Sequence, residues 1–296
     1  MQSALFVGDV SWDTSIVVDH VPEPDEKALT RNVVEDVGGV VTNAAVACSL
    51  AGGSTILVCG IAADLAGTSA FDALKARGLT VLAHSSPPPT ARAIIILDAY
   101  GEKRLVLFPG GCMYPNKALV ESVNLERVGW VHTALYDLEV ARMLVEKCRQ
   151  SEVSWSIDLE PATIPVDLRE LADVLRGCHT VFLNARAAKQ IGSEAVQTLL
   201  TAGVKEVIET LGSEGVRWND TGSSVLVPPA LKYPVIDTTG AGDALAGWYI
   251  ASRLLGHSTL QALDEAVAVA SYSVSRLGGV ASYPSSSDPR FSPGGS

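Results

Sequence analysis

The sequence predicts an α/β protein in which a parallel β-sheet is flanked by α-helices on both faces and carries a small second sheet. Short apolar runs typical of buried strands alternate with amphipathic runs of helical length, as the strand–helix units of a parallel sheet require. Two segments, 15–35 and 91–108, interrupt this alternation, because they contain strand-like runs that do not fit a helix-covered sheet. These segments favour a separate small sheet.

The elements of the main sheet follow one another along the chain. The segments that predict strands are, in order, ALFVGDV, TILVCGI, GWVHTAL, VSWSIDL, HTVFLN, KEVIETLG and the strand-like KYPVIDTT. The segments that predict helices are VTNAAVACSLAGG, SAFDALKARGL, EVARMLVEKCRQ, LRELADVLRG, SEAVQTLLTAG and DALAGWYIASRLLG. Gly52 and Gly78 follow the first two of these helices, as expected of residues that end a helix.

The two interrupting segments predict a lid. Residues 91–108 contain two strand-like runs around Tyr100-Gly101, which is the pattern of a hairpin. Paired with 15–35, this hairpin would cover the carboxyl ends of the main strands, where open α/β sheets bind ligands, and would exclude water. No repeat or linker divides the chain. We therefore expect one domain over 1–296, with a flexible Ser/Pro/Gly-rich tail over 285–296.

Composition narrows the class of protein. Hydrophobic residues make up 47% and charged residues 19% of the chain, which excludes a disordered protein and supports a large core. A net charge of −11 argues against a nucleic-acid or anionic-membrane partner. The five cysteines show no C-x-x-C spacing, and no apolar run approaches the roughly 18 residues of a membrane helix. We expect a cytoplasmic protein with reduced thiols, without a nucleic-acid or membrane partner.

The segment VIDTTGAGDALAG, residues 235–247, is the first candidate for chemistry. The backbone N–H groups at the start of the predicted helix lack partners and lie at the positive end of its dipole, and the glycines allow a ligand to approach them closely. Asp243 could accept a hydroxyl proton while these amides hold a transferred phosphoryl group. Taken alone, the segment is explained equally well by a glycine turn with an aspartate that caps the helix.

Other motifs support the catalytic interpretation. DTTGAGD resembles the C-terminal signature of the PfkB/ribokinase family of carbohydrate kinases. GDVSWD followed by VGGVVTNAAVACSLAGG looks like the opening strand and glycine-pair segment of that family. TLGSEGV at 210–216 resembles its nucleotide-binding turn, and VFLNARAAKQIG and SRLGGVAS resemble two further elements, all in family order.

The resemblance implies a Rossmann-like (ribokinase-like) sheet with a β-sheet lid, and ATP-dependent phosphorylation of an alcohol on a sugar-like compound with Mg²⁺. It also implies a homodimer formed through the lid. The residues that match family positions are the base Asp243 and the anion hole Gly240, Ala241 and Gly242; Asp13, Gly39 and Asn43 for the sugar hydroxyls; Asn184, Thr210, Gly212 and Gly215 for the nucleotide; and Asp237, Thr239, Gly278 and Ser282 for a monovalent cation such as K⁺.

The sequence departs from the family pattern at several positions. The Asn-x-x-Glu element tied to Mg²⁺ reads Asn184-Ala185-Arg186-Ala187, so the metal would be organised through waters and other acids such as Asp158, or would bind weakly. Ala134 and Leu135 stand where a ribokinase-like member offers a substrate-binding acid, which lowers the odds of ribose itself.

Specificity stays open at this point. Arg92 and Arg104 on the predicted lid hairpin could reach an anionic group of the substrate, or they could be solvated strand residues. A nucleoside kinase of the same family is one alternative, with Trp12 and Phe108 as candidates for the aromatic surface it would need. A catalytically reduced sugar-binding or regulatory protein is the other, because the Asn-x-x-Glu acid is missing.

Overall fold

A computed structural model describes residues 2–99, 103–111, 114–230, 233–289 and 291. Within these ranges, nine strands form the large sheet: β1 Ser3–Val7, β4 Thr55–Ala62, β5 Thr80–Ser86, β8 Val128–Ala134, β9 Ser154–Leu159, β10 Thr180–Asn184, β11 Glu206–Thr210, β12 Val216–Asn219 and β13 Ser224–Val227. Four more strands of the described chain form the small sheet: β2 Ser11–Val17, β3 Asn32–Gly38, β6 Arg92–Leu97 and β7 Lys103–Phe108. The helices are α1 Val40–Leu50, α2 Leu65–Ala76, α3 Lys117–Ser122, α4 Leu138–Gln150, α5 Ala172–Leu175, α6 Ala185–Ile191, α7 Ala195–Thr201, α8 Ala241–Leu254 and α9 Thr259–Ser273.

The order of strands in the large sheet is β13-β12-β11-β10-β9-β8-β1-β4-β5. The strands from β5 to β11 in this order are parallel, and β12 and β13 extend the sheet as an antiparallel hairpin. The chain builds outward from β1 in one direction through β4 and β5, and then in the other direction from β8 onward. The boundary between the paired strands β1 and β8 is therefore the topological switch point, where a ligand crevice opens at the carboxyl ends of the strands.

Both faces of the large sheet are buried, because side chains of one strand pack alternately to either side. Phe6 packs in a core with residues of α1, α2, α8 and α9, whereas its neighbours Leu5 and Val7 pack in a core with residues of α3, α4, α5 and α7. This arrangement explains why the parallel strands read as continuous apolar runs. The predicted sheet with helices on both faces is confirmed.

The predicted small second sheet is also confirmed. Its order is β3-β2-β6-β7, so the two interrupting segments of the sequence pair with each other through the parallel β2–β6 contact. β2 and β3 are antiparallel, as are β6 and β7. Both residues of the predicted turn, Tyr100 and Gly101, lie outside the described residues.

Three sequence-based expectations differ from the structure. The segment KYPVIDTT is not a strand over its described residues 233–239, because its apolar side chains are not buried (Val235 is 69% exposed) and the amides of Ile236 and Asp237 donate to the carbonyl of Val274 at the end of α9. The predicted helix LRELADVLRG begins as a 3₁₀ turn over Leu168–Leu171 before α5. Helices α3, α6 and α9 and strands β5, β12 and β13 were not predicted.

The C-terminal segment packs on the domain as far as Phe291, although the sequence predicts a flexible tail over 285–296. The Phe291 side chain is 5% exposed and meets the rings of Trp248 and Tyr272 edge-on, with centroid distances of 5.6 and 5.5 Å. The amide of Ser286 donates to the carbonyl of Leu50 at 2.9 Å. Arg290 and residues 292–296 lie outside the described residues.

The cysteines fit the expectation of reduced thiols. Cys48, Cys59, Cys148 and Cys178 are buried and free, and burial raises the pKa of each thiol. Cys112 lies outside the described residues. Within the described ranges, no helix is long and apolar enough to cross a membrane.

Candidate active site

Asp9 follows strand β1 at the switch point, and its carboxylate holds the start of α1. Its two oxygens accept the amides of Val40 and Val41 at 3.0 and 3.1 Å, and its backbone carbonyl accepts the Thr42 hydroxyl at 2.5 Å. Gly39, the N-cap of α1, has a φ of 109°, and a Cβ there would overlap the Asp9 carbonyl. Asp9 therefore fixes the direction in which α1 presents its first turn.

Helix α1 presents Asn43 to Asp243 in the first turn of α8. The Asn43 Nδ2 donates to Asp243 Oδ2 at 2.7 Å across 200 residues of sequence. The two helices come this close because Gly247 of α8 lies against the backbone of Ala44, and a Cβ at 247 would overlap the Ala44 carbonyl oxygen. The glycine is thus needed for close packing, and the packing brings the amide and the carboxylate together.

Asp243 lies among other acids in a poorly solvated site. Burial is the main cause that raises the pKa of its carboxyl to about 8, and the negative charges of Glu160 and Asp9 act in the same direction. The Asn43 hydrogen bond and the charge of Lys103 lower that pKa. A carboxyl group poised near neutral pH can take a proton from an alcohol.

The start of α8 is shaped for an anion. Gly240, its N-cap, takes the left-handed conformation with φ 73°, and its carbonyl accepts the Tyr283 hydroxyl at 2.6 Å. The amides of the first turn, which includes Ala241, Gly242 and Asp243, have no partners within the helix and lie at the positive end of its dipole. Added atoms at Gly242 would meet open space, so this turn is accessible.

A cleft lies next to this turn, between the small sheet, the first turn of α1 and the loops that carry Thr239 and Gly278. It is lined by Asp13, Ser15, Val34, Asp36, Val37, Asn43, Ile95, Thr239, Gly278 and Gly279. Asn43 is 8% exposed, and its Oδ1 is buried without a partner among the described residues. A buried carbonyl oxygen without a donor is costly, so a hydroxyl group in the cleft would satisfy it.

Asp13 brings a second carboxylate to the cleft from β2. Its Oδ1 accepts the Ser11 hydroxyl at 2.6 Å and the Ala93 amide of β6 at 3.2 Å. Burial is the main cause that raises its pKa to about 6. Gly38 makes room for this carboxylate, because a Cβ there would overlap it. The glycine pair of the sequence thus serves both ends of the predicted substrate site.

The Asn-x-x-Glu element lacks its acid, but its asparagine, Asn184, contacts an acid elsewhere in the chain that the sequence did not indicate, Glu160. Asn184 caps α6 by accepting the Ala187 amide at 2.9 Å, and its Nδ2 donates to Glu160 Oε1 at 3.3 Å. Glu160 follows β9, which also carries Asp158. Burial raises the pKa of both acids, and each adds to the negative charge around Asp243.

The predicted nucleotide turn follows β11 directly. Thr210 ends the strand, and a 3₁₀ turn over Gly212–Glu214 leads into β12. The Leu211 amide donates to the Gly215 carbonyl at 2.8 Å. Gly215 has a φ of 95° and lies against the backbone of Val227, whereas Gly212, with φ 60°, faces open space. The turn therefore leaves one side of its backbone accessible.

The four residues predicted for a monovalent cation lie in two adjoining loops. Asp237 is 2% exposed; its Oδ1 accepts the amide and hydroxyl of Thr239, and its Oδ2 accepts the Gly278 amide at 2.9 Å. The Ser282 hydroxyl donates to the Gly279 carbonyl at 2.7 Å. The Asp237 side chain thus joins the loops to each other.

The predicted anion-binding arginines do not reach the cleft. Side chains alternate between the faces of β6, and Ala93 and Ile95 are buried on the cleft side, so the exposed Arg92 points to the outer face of the small sheet. Arg104 lies opposite Ile96 in the β6–β7 ladder and shares that outer face. Its neighbour Lys103 lies opposite Leu97 and faces the cleft.

Lys103 is the cation that the sequence analysis missed. Its Nζ donates to the Thr239 hydroxyl at 3.2 Å, from the small sheet to the residue before Gly240. Side chains of β6 alternate between the two faces of the sheet, and this alternation, continued across the hairpin turn into β7, could have identified Lys103 from the sequence. The aromatic candidates Trp12 and Phe108 each lie next in sequence to a residue that faces the cleft, so their own side chains are on the opposite face of the small sheet. Neither lines the cleft.

Comparison with known proteins identifies the family. The model of the pfkB family of carbohydrate kinases matches residues 1–286. The chain belongs to this family. It is a carbohydrate kinase, a phosphotransferase that acts on an alcohol group.

Relatives within the pfkB family are similar over most of their length. The chain is 27% identical to the ribokinase of Schizosaccharomyces pombe over 240 residues, which cover 75% of this chain and 74% of the relative. It is 29% identical to the 2-dehydro-3-deoxygluconokinase of Thermoproteus tenax over 274 residues, which cover 84% and 82%.

A solved structure of the Arabidopsis thaliana ribokinase, complexed with ribose and ATP, has a TM-score of 0.79 to this chain at 20% identity and covers 96% of both chains. At that identity the likeness shows the ribokinase fold.

Proposed function

We propose that this pfkB-family kinase transfers the γ-phosphoryl group of ATP to a hydroxyl of a sugar or sugar derivative, with Asp243 as the general base. The observation that carries the proposal is the Asn43–Asp243 hydrogen bond of 2.7 Å at the start of α8, beside a cleft in which the buried Asn43 Oδ1 has no donor among the described residues. The acceptor sugar would occupy this cleft.

The chemistry follows from the positions of these groups. Asp13 and Asn43 offer acceptors to sugar hydroxyls, and the backbone at Gly278 and Gly279 forms part of the wall of the cleft. Asp243 takes the proton of the attacking hydroxyl as the new O–P bond forms, and the bond from phosphorus to the ADP oxygen breaks. The amides of Gly240, Ala241 and Gly242 stabilise the charge on the phosphoryl oxygens.

The nucleotide would bind along the turn after β11. Thr210 and Gly212 lie at the carboxyl edge of the sheet, and Gly212 leaves its backbone open to a ligand. Asn184, which ends β10, lies beside the same edge. ATP placed here would extend its phosphates toward α8.

The acids beside the cleft fit Mg²⁺. Asp158 is 7% exposed and its pKa is raised well above the ordinary range by burial and by the neighbouring acids Glu160, Asp243 and Asp9, which is the environment that a cation relieves. Within the described ranges, no three His, Cys, Asp or Glu side chains form a metal cluster. Mg²⁺ commonly uses one or two carboxylates with phosphates and waters. Asp158 and Glu160 would hold it, and it would neutralise phosphate charge.

Two further parts of the proposal concern K⁺ and assembly. The Asp237 carboxylate already accepts hydrogen bonds from Thr239 and Gly278, so K⁺ between the loops would be held mainly by carbonyl oxygens.

The outer face of the small sheet exposes Val33, Ile94, Val106 and Phe108 at 47–60% each, which suits a homodimer formed through this sheet. We propose that the small sheet also acts as a lid over the cleft.

The cleft favours a sugar over a nucleoside, because none of the described residues that line it carries an aromatic ring. The test is a screen for ADP release over ketoses, aldoses, their phosphorylated and acidic forms, and nucleosides. We expect turnover with a sugar-like alcohol that Asp243→Asn abolishes. Turnover only with nucleosides would overturn the sugar assignment, and equal turnover by wild type and Asp243→Asn would overturn the base.

A further inference from the structure

Lys103 is the point at which the small sheet carries a positive charge into the candidate site. It begins β7, the edge strand of that sheet, and its ladder position opposite Leu97 directs it to the cleft side. On the same side, Ala93, Ile95 and Leu97 pack against Leu277 of the large domain. The backbone of Lys103 is thus held where the small sheet packs against the rest of the protein.

The ammonium group of Lys103 lies against the residue that precedes the anion-binding turn. Its Nζ is 3.2 Å from the Thr239 Oγ1. The Thr239 hydroxyl donates to Asp237 at 2.6 Å, so its lone pairs are turned toward the lysine. A neutral hydroxyl is a weaker partner for an ammonium group than a phosphoryl oxygen, because the phosphoryl oxygen also carries a negative charge.

The charge of Lys103 reaches the reacting groups. It lowers the pKa of Asp243 and also that of Glu160, across the cleft from its own strand. Arg186 of α6 also acts on this group of acids, because its charge lowers the pKa of Glu160. Lys103 therefore adds a positive charge from the small sheet to a site that contains several acids.

We propose that Lys103 is a catalytic residue that leaves Thr239 to bind the phosphoryl group during its transfer from ATP. The phosphoryl oxygens would lie between the Lys103 ammonium group on one side and the first-turn amides of α8 on the other. The lysine keeps its proton throughout, while the hydroxyl proton passes to Asp243. The small sheet would then complete the catalytic site when it closes, in addition to excluding water.

The inference rests on the proposed function, so its test compares Lys103→Met with Lys103→Arg in an enzyme assayed on a neutral sugar. Lys205→Met is the matched control, because it removes the same charge from an exposed lysine before β11, at the opposite end of the strands. We expect kcat to fall by about 10²–10³-fold for Lys103→Met, as for loss of one transition-state donor. Lys103→Arg should regain at least part of that loss, and Lys205→Met should match wild type.

A binding measurement separates a phosphoryl contact from a structural role. With the sugar bound, calorimetry should show that Lys103→Met weakens the affinity for a non-hydrolysable ATP analogue and spares that for ADP, since only the analogue carries a γ-phosphoryl group. Equal weakening for both nucleotides would overturn the inference. So would a loss confined to acidic or phosphorylated sugars, because it would assign Lys103 to the acceptor.

The outcomes also separate this inference from the proposed function. If Asp243→Asn loses activity while Lys103→Met behaves as Lys205→Met does, the inference fails and the function stands. If wild type transfers phosphate to no alcohol in the screen, the proposed function fails. If Lys103→Met then also prefers the ATP analogue over ADP to the same extent as wild type, the inference about Lys103 fails as well.

Discussion

The floor and the roof of the cleft are built in different ways. The floor is the contact of α1 with α8, where Asn43 and Asp243 lie between helices whose backbones Gly247 allows to approach closely. The roof is the small sheet, whose edge strand β7 is exposed along its whole length and whose core cluster is small. The base therefore sits on a rigid support, while the lysine sits on an element with little core of its own.

This difference assigns separate tasks to the two regions. A rigid floor fixes the distance between base and acceptor within the tolerance that catalysis requires. A roof with few buried contacts belongs to the least stable part of the molecule, from which ligand-closing elements are drawn. Substitutions in the floor should damage chemistry, and substitutions in the roof should change closure.

The largest expected effect comes from the floor. Asp243→Asn keeps the shape of the side chain but cannot accept a proton, so kcat should fall by about 10²–10⁴-fold. That loss corresponds to about 3–5 kcal/mol at 1.36 kcal/mol per decade. Steady-state kinetics on the best sugar would measure it, and a variant that keeps more than about a tenth of wild-type kcat would contradict the base.

The same variant has a stability signature with a defined sign. The native Asp243 pKa of about 8 lies above the ordinary value of 3.8, so between these two pH values the native state binds more protons than the unfolded state. Stability from this group is present at low pH and is lost as pH rises through about 8. Asp243→Asn should flatten the fall in melting temperature between pH 6 and about 9. An unchanged slope would mean that Asp243 ionises normally.

The pH dependence of the reaction gives the next effect. Since the free enzyme must ionise Asp243, kcat/KM should rise about tenfold per pH unit below an apparent pKa near 8 and then level off. Asp13, with a pKa of about 6, should add a second, lower inflection. A profile that is flat from pH 6 to about 9 would be inconsistent with this account.

A substitution in the packing of the floor should cost less. Gly247→Ala forces a methyl group against the Ala44 carbonyl, and such overpacking should lower the unfolding free energy by about 1–3 kcal/mol. Gly222→Ala in the β12–β13 turn is the control, because the nearest atom would be 3.8 Å away. Denaturant unfolding compares them; equal stability of the two variants would show that the helices separate freely.

The smallest effect concerns the roof. Amide hydrogen exchange in β6 and β7 should slow when sugar binds, because closure orders an element with few buried contacts. Exchange in α8, whose residues from Ala244 to Ser252 are buried, should change little. Equal protection of the small sheet with and without sugar would count against a lid.

The sequence predicts the floor better than the roof, for a physical reason. Close backbone contacts and helix starts permit few residue types. For this reason the sequence identifies Asp243, Asn43 and the glycines before α8. Whether Lys103 or Arg104 faces the cleft depends on the register of one hairpin, and a shift by one residue exchanges the faces. Glu160 was missed because its partner Asn184 lies on the next strand, a relation that only the sheet order reveals.

The contact of Phe291 with Trp248 joins the end of the described chain to the helix that carries the base. Trp248 is five residues after Asp243, or about 7.5 Å further along the helix axis. Removal of Phe291 would expose an indole at the middle of α8 and loosen the support of the first turn. Because the chain has five tryptophans, the change in emission when Phe291 is replaced, compared with wild type, would report how firmly the catalytic helix is held, independent of any substrate.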